Sequence, residues 1–67
     1  MAKIQLNGKK ISIESNFTIL DLIKRYKLSK KKIAIEYNGE IVSKINYKKK
    51  FLKENDKIEI VHFIGGG

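Results

Sequence analysis

The order of apolar and polar positions predicts a β-hairpin at the start of the chain. Residues 3–7 and 10–14 alternate, with isoleucine or leucine at every second position, which is the period of a strand with one buried face. Asn7-Gly8 joins the two runs. This dipeptide favours a type I′ turn, because both central residues of that turn need positive φ. We therefore expect two antiparallel strands here.

A short helix is expected next. Thr18 and Asp21 have the spacing of a capping box, in which each side chain accepts a hydrogen bond from the other residue's amide. Basic residues suit the negative end of a helix dipole, so the helix is expected to end near Lys27, with Phe17 packing at its entry. Apolar side chains recur between these ends at helical spacing, at Ile19, Leu20, Leu22, Ile23 and Tyr26.

The period of two then returns and predicts a second hairpin. Residues 33–37 alternate, Asn38-Gly39 repeats the turn signal, and residues 40–43 can form the returning strand. The segment that follows, residues 44–57, is mostly polar. We expect it to be a connection held to the core by two apolar anchors, Phe51 and Leu52.

Residues 58–63 alternate once more and predict a final strand. Because successive side chains of a strand point to opposite faces, Ile58 and Ile60 should enter the core. Glu59, Val61 and Phe63 should then lie on the other face of the sheet. Val61 and Phe63 are thus candidate partner contacts.

Strand, strand, helix and three strands in this order favour an α+β domain of the β-grasp (ubiquitin-like) fold: a small mixed five-stranded sheet crossed by one helix. An SH3-like barrel is the weaker alternative. A single helix can cover only one face of such a sheet.

Length and composition limit what this domain can do. A chain of 67 residues buries only about 60% of its unfolded surface, so its core is thin and leaves no room for an enclosed catalytic cleft. Cysteine is absent, which excludes disulfides and thiolate chemistry within it. No stretch approaches the ~18 apolar residues of a membrane span, and the first residues lack a secretory signal. A cytoplasmic location is the expectation.

The charge balance is strongly basic, with a formal net charge of +8. Lysine accounts for fourteen of the fifteen basic residues, and two runs stand out, at 30–32 and 48–50. These runs are either solvated loops or docking sites for acidic patches on partner proteins. Nucleic acid is the less favoured partner, because its readers usually depend on arginine.

Catalytic constellations are not apparent. His62 is the only histidine, so no metal site or His-based triad can be assembled around a second one. The serines have no base at a recognisable spacing, and no glycine-rich loop precedes the helix. The chain is therefore not expected to be an enzyme, and no catalytic residues, metal or bound cofactor of its own are expected.

The last three residues are glycines, Gly65, Gly66 and Gly67. Glycine loses more backbone entropy on folding than any other residue. We therefore expect a domain over residues 1–64 followed by a flexible tail over 65–67. A frayed terminus is the alternative interpretation.

The glycine ending, together with the preceding motifs, resembles the ThiS family of sulfur carriers in thiamine biosynthesis. The similar segments are residues 4–8 (IQLNG), 18–23 (TILDLI), 34–42 (AIEYNGEIV) and 56–67 (DKIEIVHFIGGG). One departure is Asn55, where the family often has glycine. Asn tolerates the left-handed conformation, so this change affects the turn more than the function.

The resemblance implies chemistry at Gly67. In such carriers an E1-like adenylyltransferase of the ThiF type uses ATP to adenylate the terminal carboxylate. Sulfur from a cysteine desulfurase or other donor then replaces AMP, and the resulting covalent thiocarboxylate supplies a thiazole synthase of the ThiG type. Val61, Phe63 and Ile64 are the expected partner contacts, and Gly65 and Gly66 the residues that enter the partner's channel.

Two alternatives remain at this stage. The small subunit of molybdopterin synthase, or another ubiquitin-like sulfur donor, would share the fold and the tail but differ in its acceptor. A basic β-grasp binding module would not need a free glycine terminus at all.

Overall fold

The computed structural model describes residues 1–63 as a five-stranded mixed sheet with one helix. The strands are β1 Ala2–Leu6, β2 Lys9–Ile13, β3 Ile33–Tyr37, β4 Glu40–Ile41 and β5 Lys57–His62, and the helix is α1 Ile19–Arg25. Two short 3₁₀ turns, Lys30–Lys32 and Lys44–Asn46, flank β3 and β4.

The strand order is β2-β1-β5-β3-β4, which places the last strand in the centre of the sheet. β5 pairs in parallel with β1 and antiparallel with β3. The predicted β-grasp architecture is confirmed. The barrel alternative is wrong, because β2 and β4 form the two edges of an open sheet.

Both hairpin turns adopt the predicted geometry, and their asparagines also bind the central strand. Asn7 and Gly8 have φ of 49° and 84°, and Asn38 and Gly39 have φ of 50° and 91°, as a type I′ turn requires. Asn7 Oδ1 accepts a hydrogen bond of 2.7 Å from the amide of Ile60. Asn38 Oδ1 accepts one of 2.7 Å from the amide of Lys57. The turns therefore hold β5 from both sides.

The capping box begins the helix as predicted. The amide of Thr18 donates to Asp21 Oδ2 at 2.9 Å, and the amide of Asp21 donates to Thr18 Oγ1 at 3.1 Å. The helix ends at Arg25, two residues earlier than expected. Lys27 then takes a positive φ of 55°. Because the helix stops before Tyr26, this side chain lies at the margin of the sheet and is exposed, contrary to its predicted place on the apolar face.

The core lies between α1 and the inner face of the sheet. It contains one large side chain that the periodicity does not predict, Tyr47, of which only 2% is exposed. Burial raises the pKa of Tyr47 above its usual value. Each fully buried large apolar side chain contributes about 1.5–3 kcal/mol. The buried apolar residues are Ile4, Ile13, Ile19, Leu22, Ile23, Ile33, Ile35, Tyr47, Leu52 and Ile58.

The connection between β4 and β5 has one of its two predicted anchors. Leu52 is buried, whereas Phe51 is half-exposed. The amide of Leu52 donates to the carbonyl of Phe17 at 2.7 Å, and Phe51 forms an isolated antiparallel β-bridge with Thr18. Neighbouring side chains of an extended segment point to opposite sides, so only one of the pair can enter the core. The prediction for Phe51 was wrong for this reason.

Four of the five strands have boundaries that differ from those predicted. β1 and β2 each begin and end one residue early, at Ala2–Leu6 and Lys9–Ile13, and β5 ends one residue early, at His62. β4 covers Glu40–Ile41, shorter than the predicted 40–43, because residues 44–46 turn away from the sheet edge. β5 begins one residue early, at Lys57, where it pairs with Gln5 of β1.

Candidate functional site

The final strand presents two different faces, as its alternation predicts. Ile58 is fully buried and Ile60 is partly buried against the core. Val61 is 50% exposed and Phe63 is 54% exposed on the other side of the sheet, which no helix covers. Both predicted partner contacts therefore have accessible side chains.

Two further apolar residues share this helix-free face. Ala34 pairs with Val61, and Ile41 pairs with Glu36, which itself pairs with Glu59. Partners in register point to the same face of a sheet. Ala34, Ile41, Val61 and Phe63 are thus the apolar residues of this face, called here the outer patch, and Glu36 and Glu59 lie among them.

A backbone hydrogen bond and a cation–π contact hold Phe63, the residue that follows β5. The amide of Phe63 donates to the carbonyl of Lys32 at 2.9 Å. The ammonium group of Lys44 lies 5.9 Å from the centre of the Phe63 ring, and a cation–π contact at an exposed site contributes only about 0.5–1 kcal/mol. The ring of Phe63 is therefore free to meet a partner.

The turn before β5 is, in contrast, built around a buried carboxylate. Asp56 is 3% exposed. It accepts hydrogen bonds from the Tyr37 hydroxyl at 2.7 Å, the Asn38 side-chain amide at 3.2 Å and the backbone amide of Lys53 at 2.8 Å. Burial and the bond to Asp56 together raise the pKa of Tyr37 to about 12. This network fixes where the central strand begins.

Residues 54–56 were expected to form a turn, but the buried network of Asp56 was not predicted. Two of its donors, Tyr37 and Asn38, lie 19 and 18 positions away in sequence, whereas Lys53 lies three residues away. Asn55, in the same turn, has φ of 71°. This positive φ confirms that asparagine takes the conformation for which glycine would be the usual choice.

His62 lies at the end of β5 opposite Ile33, on the core side of the sheet, as predicted. It is nevertheless exposed, because the helix does not extend over this margin. Within residues 1–63, no three histidine, aspartate or glutamate side chains are gathered to hold a metal ion. The one helix of this part of the chain falls short of the length and apolarity needed to cross a membrane.

The remaining predicted site residues, Ile64, Gly65, Gly66 and Gly67, lie outside the described residues. The domain boundary expected at residue 64 stays a prediction for the same reason. Phe63 follows directly after β5, the central strand of the sheet.

The fold and the outer patch define a ubiquitin-like β-grasp domain. Solved structures of a thiamine biosynthesis protein (ThiS) from Geobacter metallireducens share this fold at 24% identity. The crystal structure has a TM-score of 0.80 and covers 97% of this chain and 99% of that chain. The NMR structure has a TM-score of 0.76, with 97% and 87% covered.

The family follows from the sequence match. Residues 3–67 match the ThiS family model, and the chain belongs to the ThiS family. It is 45% identical over 65 residues to the sulfur carrier protein ThiS of Bacillus subtilis (strain 168), covering 96% of this chain and 98% of that protein. It is also 42% identical to a thiazole synthase of Magnetococcus marinus, covering 97% of this chain but only 20% of that protein.

Proposed function

We propose that Gly67 is the reactive residue of this chain, and that its carboxylate is adenylated and then converted to a thiocarboxylate. As a member of the ThiS family, the chain is a sulfur carrier in thiamine biosynthesis. The observation that carries the proposal is the family match, which extends through the glycines to residue 67.

The chemistry requires little of the carrier beyond its terminus. A terminal carboxylate has a pKa of about 3.3–3.7, so it is ionised at neutral pH and can attack the α-phosphate of ATP in the active site of a partner. The terminal sulfur of a donor's persulfide then attacks the acyl carbon and displaces AMP, and a thiol cleaves the resulting acyl disulfide, which leaves the thiocarboxylate and a disulfide on the donor. The carrier itself contributes no acid, base or metal ligand to either step, and it acts as the substrate of its partners.

The three glycines suit delivery into a confined site. Three extended residues span about 10 Å. Without Cβ atoms, Gly65 and Gly66 can pass through a channel that would reject any larger side chain. A central strand at the base of this segment gives the partner a firm body to hold.

The outer patch is the surface by which partners hold that body. Val61 and Phe63 lie next to the glycine segment and are half-exposed, and Ile41 is more exposed still. Apolar and aromatic residues of this kind supply most of the energy of protein interfaces. Ile64 would extend the same contact toward the glycines.

A thiazole synthase is the proposed acceptor of the sulfur. The match to the Magnetococcus marinus thiazole synthase covers one fifth of that protein, which corresponds to a domain of this size. A ThiS-like segment joined to a thiazole synthase in one polypeptide supports a working association between the two. The E1-like adenylyltransferase of the ThiF type and the sulfur donor are proposed from the family chemistry.

Intact-mass measurement tests the proposal directly. The chain is incubated with ATP, an activating enzyme and a sulfur source, and conversion of the ionised carboxylate to a thiocarboxylate should add about 16 Da. A variant with one alanine appended after Gly67 should stay unmodified, because its carboxylate is displaced from the glycine end. The Bacillus subtilis carrier serves as the positive control. Conversion of that carrier but not of this chain would refute the proposal.

A further inference from the structure

The fold brings the two lysine runs together at one groove. Lys30 and Lys31 come from the first run and Lys48 from the second, and Lys44 joins them. The groove has a volume of about 440 Å³, and its apolar lining is Leu20 and Ile45. Ile45 is 75% exposed. We call this surface the basic groove.

Backbone hydrogen bonds hold the basic groove in place. The amide of Leu20 donates to the carbonyl of Tyr47 at 3.0 Å, and the amide of Ile19 donates to the carbonyl of Lys50 at 3.0 Å. The buried ring of Tyr47 locks the segment against the helix. Ile45 and Lys48, on either side of Tyr47, are thereby held at the surface.

Among the described residues, no aspartate or glutamate lines the basic groove. Four lysines therefore line one groove without a carboxylate side chain among them, and their positive potentials add. A partner that brings carboxylates would meet complementary charge there. Ile45, a lining residue that is 75% exposed, gives such a partner an apolar contact as well.

The basic groove lies next to the point where the chain leaves β5. Lys44, a lining residue, is 5.9 Å from the ring of Phe63. The carbonyl of Lys32, adjacent to lining residue Lys31, accepts the amide of Phe63 at 2.9 Å. A partner seated in the basic groove would therefore also lie close to Phe63.

We propose that the basic groove docks an acidic segment of the adenylating enzyme, with carboxylates on the four lysines and an apolar side chain on Ile45. This inference rests on the proposed function, which makes that enzyme the first to take up the segment. Lysine carries the charge, and the aliphatic lining offers no aromatic ring for stacking a base. Both features favour a protein partner over nucleic acid.

The lysine charges of the basic groove should act mainly on the rate at which the carrier and the enzyme associate. Complementary surface charges raise association rates and make them sensitive to salt, with much less effect on later steps. The basic groove should therefore lower the KM for the carrier in thiocarboxylate formation and leave kcat nearly unchanged. The effect should shrink as salt screens the charges.

Two variants with equal net charge make the test specific to position. The groove variant replaces Lys30, Lys31, Lys44 and Lys48 by glutamine. The control variant replaces the exposed Lys3, Lys9, Lys10 and Lys53 by glutamine. Each loses four positive charges from a formal +8, which leaves +4 in both. Circular dichroism and urea midpoints confirm that both fold.

At low salt we expect the groove variant to raise KM about tenfold and the control less than about twofold, with kcat unchanged in both. The dependence of kcat/KM on salt should flatten for the groove variant alone. Ile45→Ser should raise KM by about threefold while keeping the wild-type salt dependence, because it removes apolar contact and no charge.

Equal KM values and salt dependences for the groove and control variants would overturn the docking proposal while leaving the proposed function intact. A wild-type chain that the enzyme neither binds nor converts would overturn both. Loss of binding to a short single-stranded RNA by the groove variant, with KM unchanged, would also overturn the docking proposal and assign the groove to nucleic acid.

Discussion

The two ends of β5 are built in opposite ways. At its start, the buried carboxylate of Asp56 accepts three hydrogen bonds from Tyr37, Asn38 and Lys53. At its end, Phe63 is more than half exposed and is held by one backbone bond to Lys32. Stability is concentrated at one end of the strand and accessible surface at the other.

This division suits a carrier. In the proposed function, partners hold the body of the domain while its last residues enter their active sites, so the strand has to be fixed without using the side chains that partners need. Asn7 and Asn38 help in the same way, because they bind the strand through its backbone amides. Substitutions at the two ends should therefore have separable effects on stability and on activity.

The largest effect on stability is expected from Asp56→Ala. The substitution leaves three donors without their acceptor. A hydrogen bond to a charged group contributes about 1.5–3 kcal/mol net, and water that hydrates the freed donors in the variant recovers part of the loss. We expect a loss of about 2–4 kcal/mol in the free energy of unfolding, measured by urea denaturation.

Glu54→Ala is the matched control, in the same turn. Its carboxylate accepts one exposed hydrogen bond, from the amide of Lys3 at 2.9 Å. It should cost less than about 1 kcal/mol. Equal losses for the two substitutions would contradict the assignment of Asp56 as the anchor of the strand.

Tyr37→Phe should have an intermediate effect. It removes one donor to Asp56 and leaves the ring in place, which predicts a loss of about 1–2 kcal/mol at neutral pH. The folded-state pKa of Tyr37 is raised from its usual 10.0 to about 12. The stability that the hydroxyl contributes is therefore complete below pH 10 and is lost as pH rises from 10 toward 12.

The measurement is the difference in stability between wild type and Tyr37→Phe as a function of pH. Because both proteins carry the same lysines, titration of lysine cancels in the difference. The difference in unfolding free energy between the two proteins should stay constant up to pH 10 and decrease above it. A gap that widens above pH 10 would show that the hydroxyl is not the proton donor to Asp56.

Phe63→Ala should have the smallest effect on stability, about 0.5–1 kcal/mol, because the side chain is half in solvent already and the substitution removes its cation–π contact with Lys44. Thiocarboxylate formation should nevertheless become less efficient, through a higher KM for the carrier, if the outer patch is the partner surface. Thermal unfolding and the mass assay measure the two quantities. A large loss of stability with a normal KM would show that Phe63 supports the fold and is not a partner contact.

Local sequence patterns predicted much of this molecule. Each asparagine-glycine turn, the capping box of Thr18 and Asp21 and the alternation of β5 depend on residues within a few positions of one another. Their geometry is therefore contained in short segments of sequence. The accessible side chains of Val61 and Phe63 followed from the same alternation.

Other features depend on residues far apart in sequence. The Tyr37 hydroxyl donates a hydrogen bond to Asp56, which is 19 positions away in sequence. The amide of Ile60 donates one to Asn7, which is 53 positions away. Tyr47 lies in a mostly polar segment without periodicity, so no pattern marks it as a core residue. Its burial depends on how the segment packs across the start of the helix.

The sequence by itself determined the fold class, the two faces of the last strand and the family, because periodicity, turn residues and the glycine ending are all local signals. Only the tertiary structure decided which carboxylate is buried, which aromatic ring enters the core and which lysines share a groove. Packing brings together side chains from separate elements, and the choice among equally polar residues is made by the backbone contacts that position them.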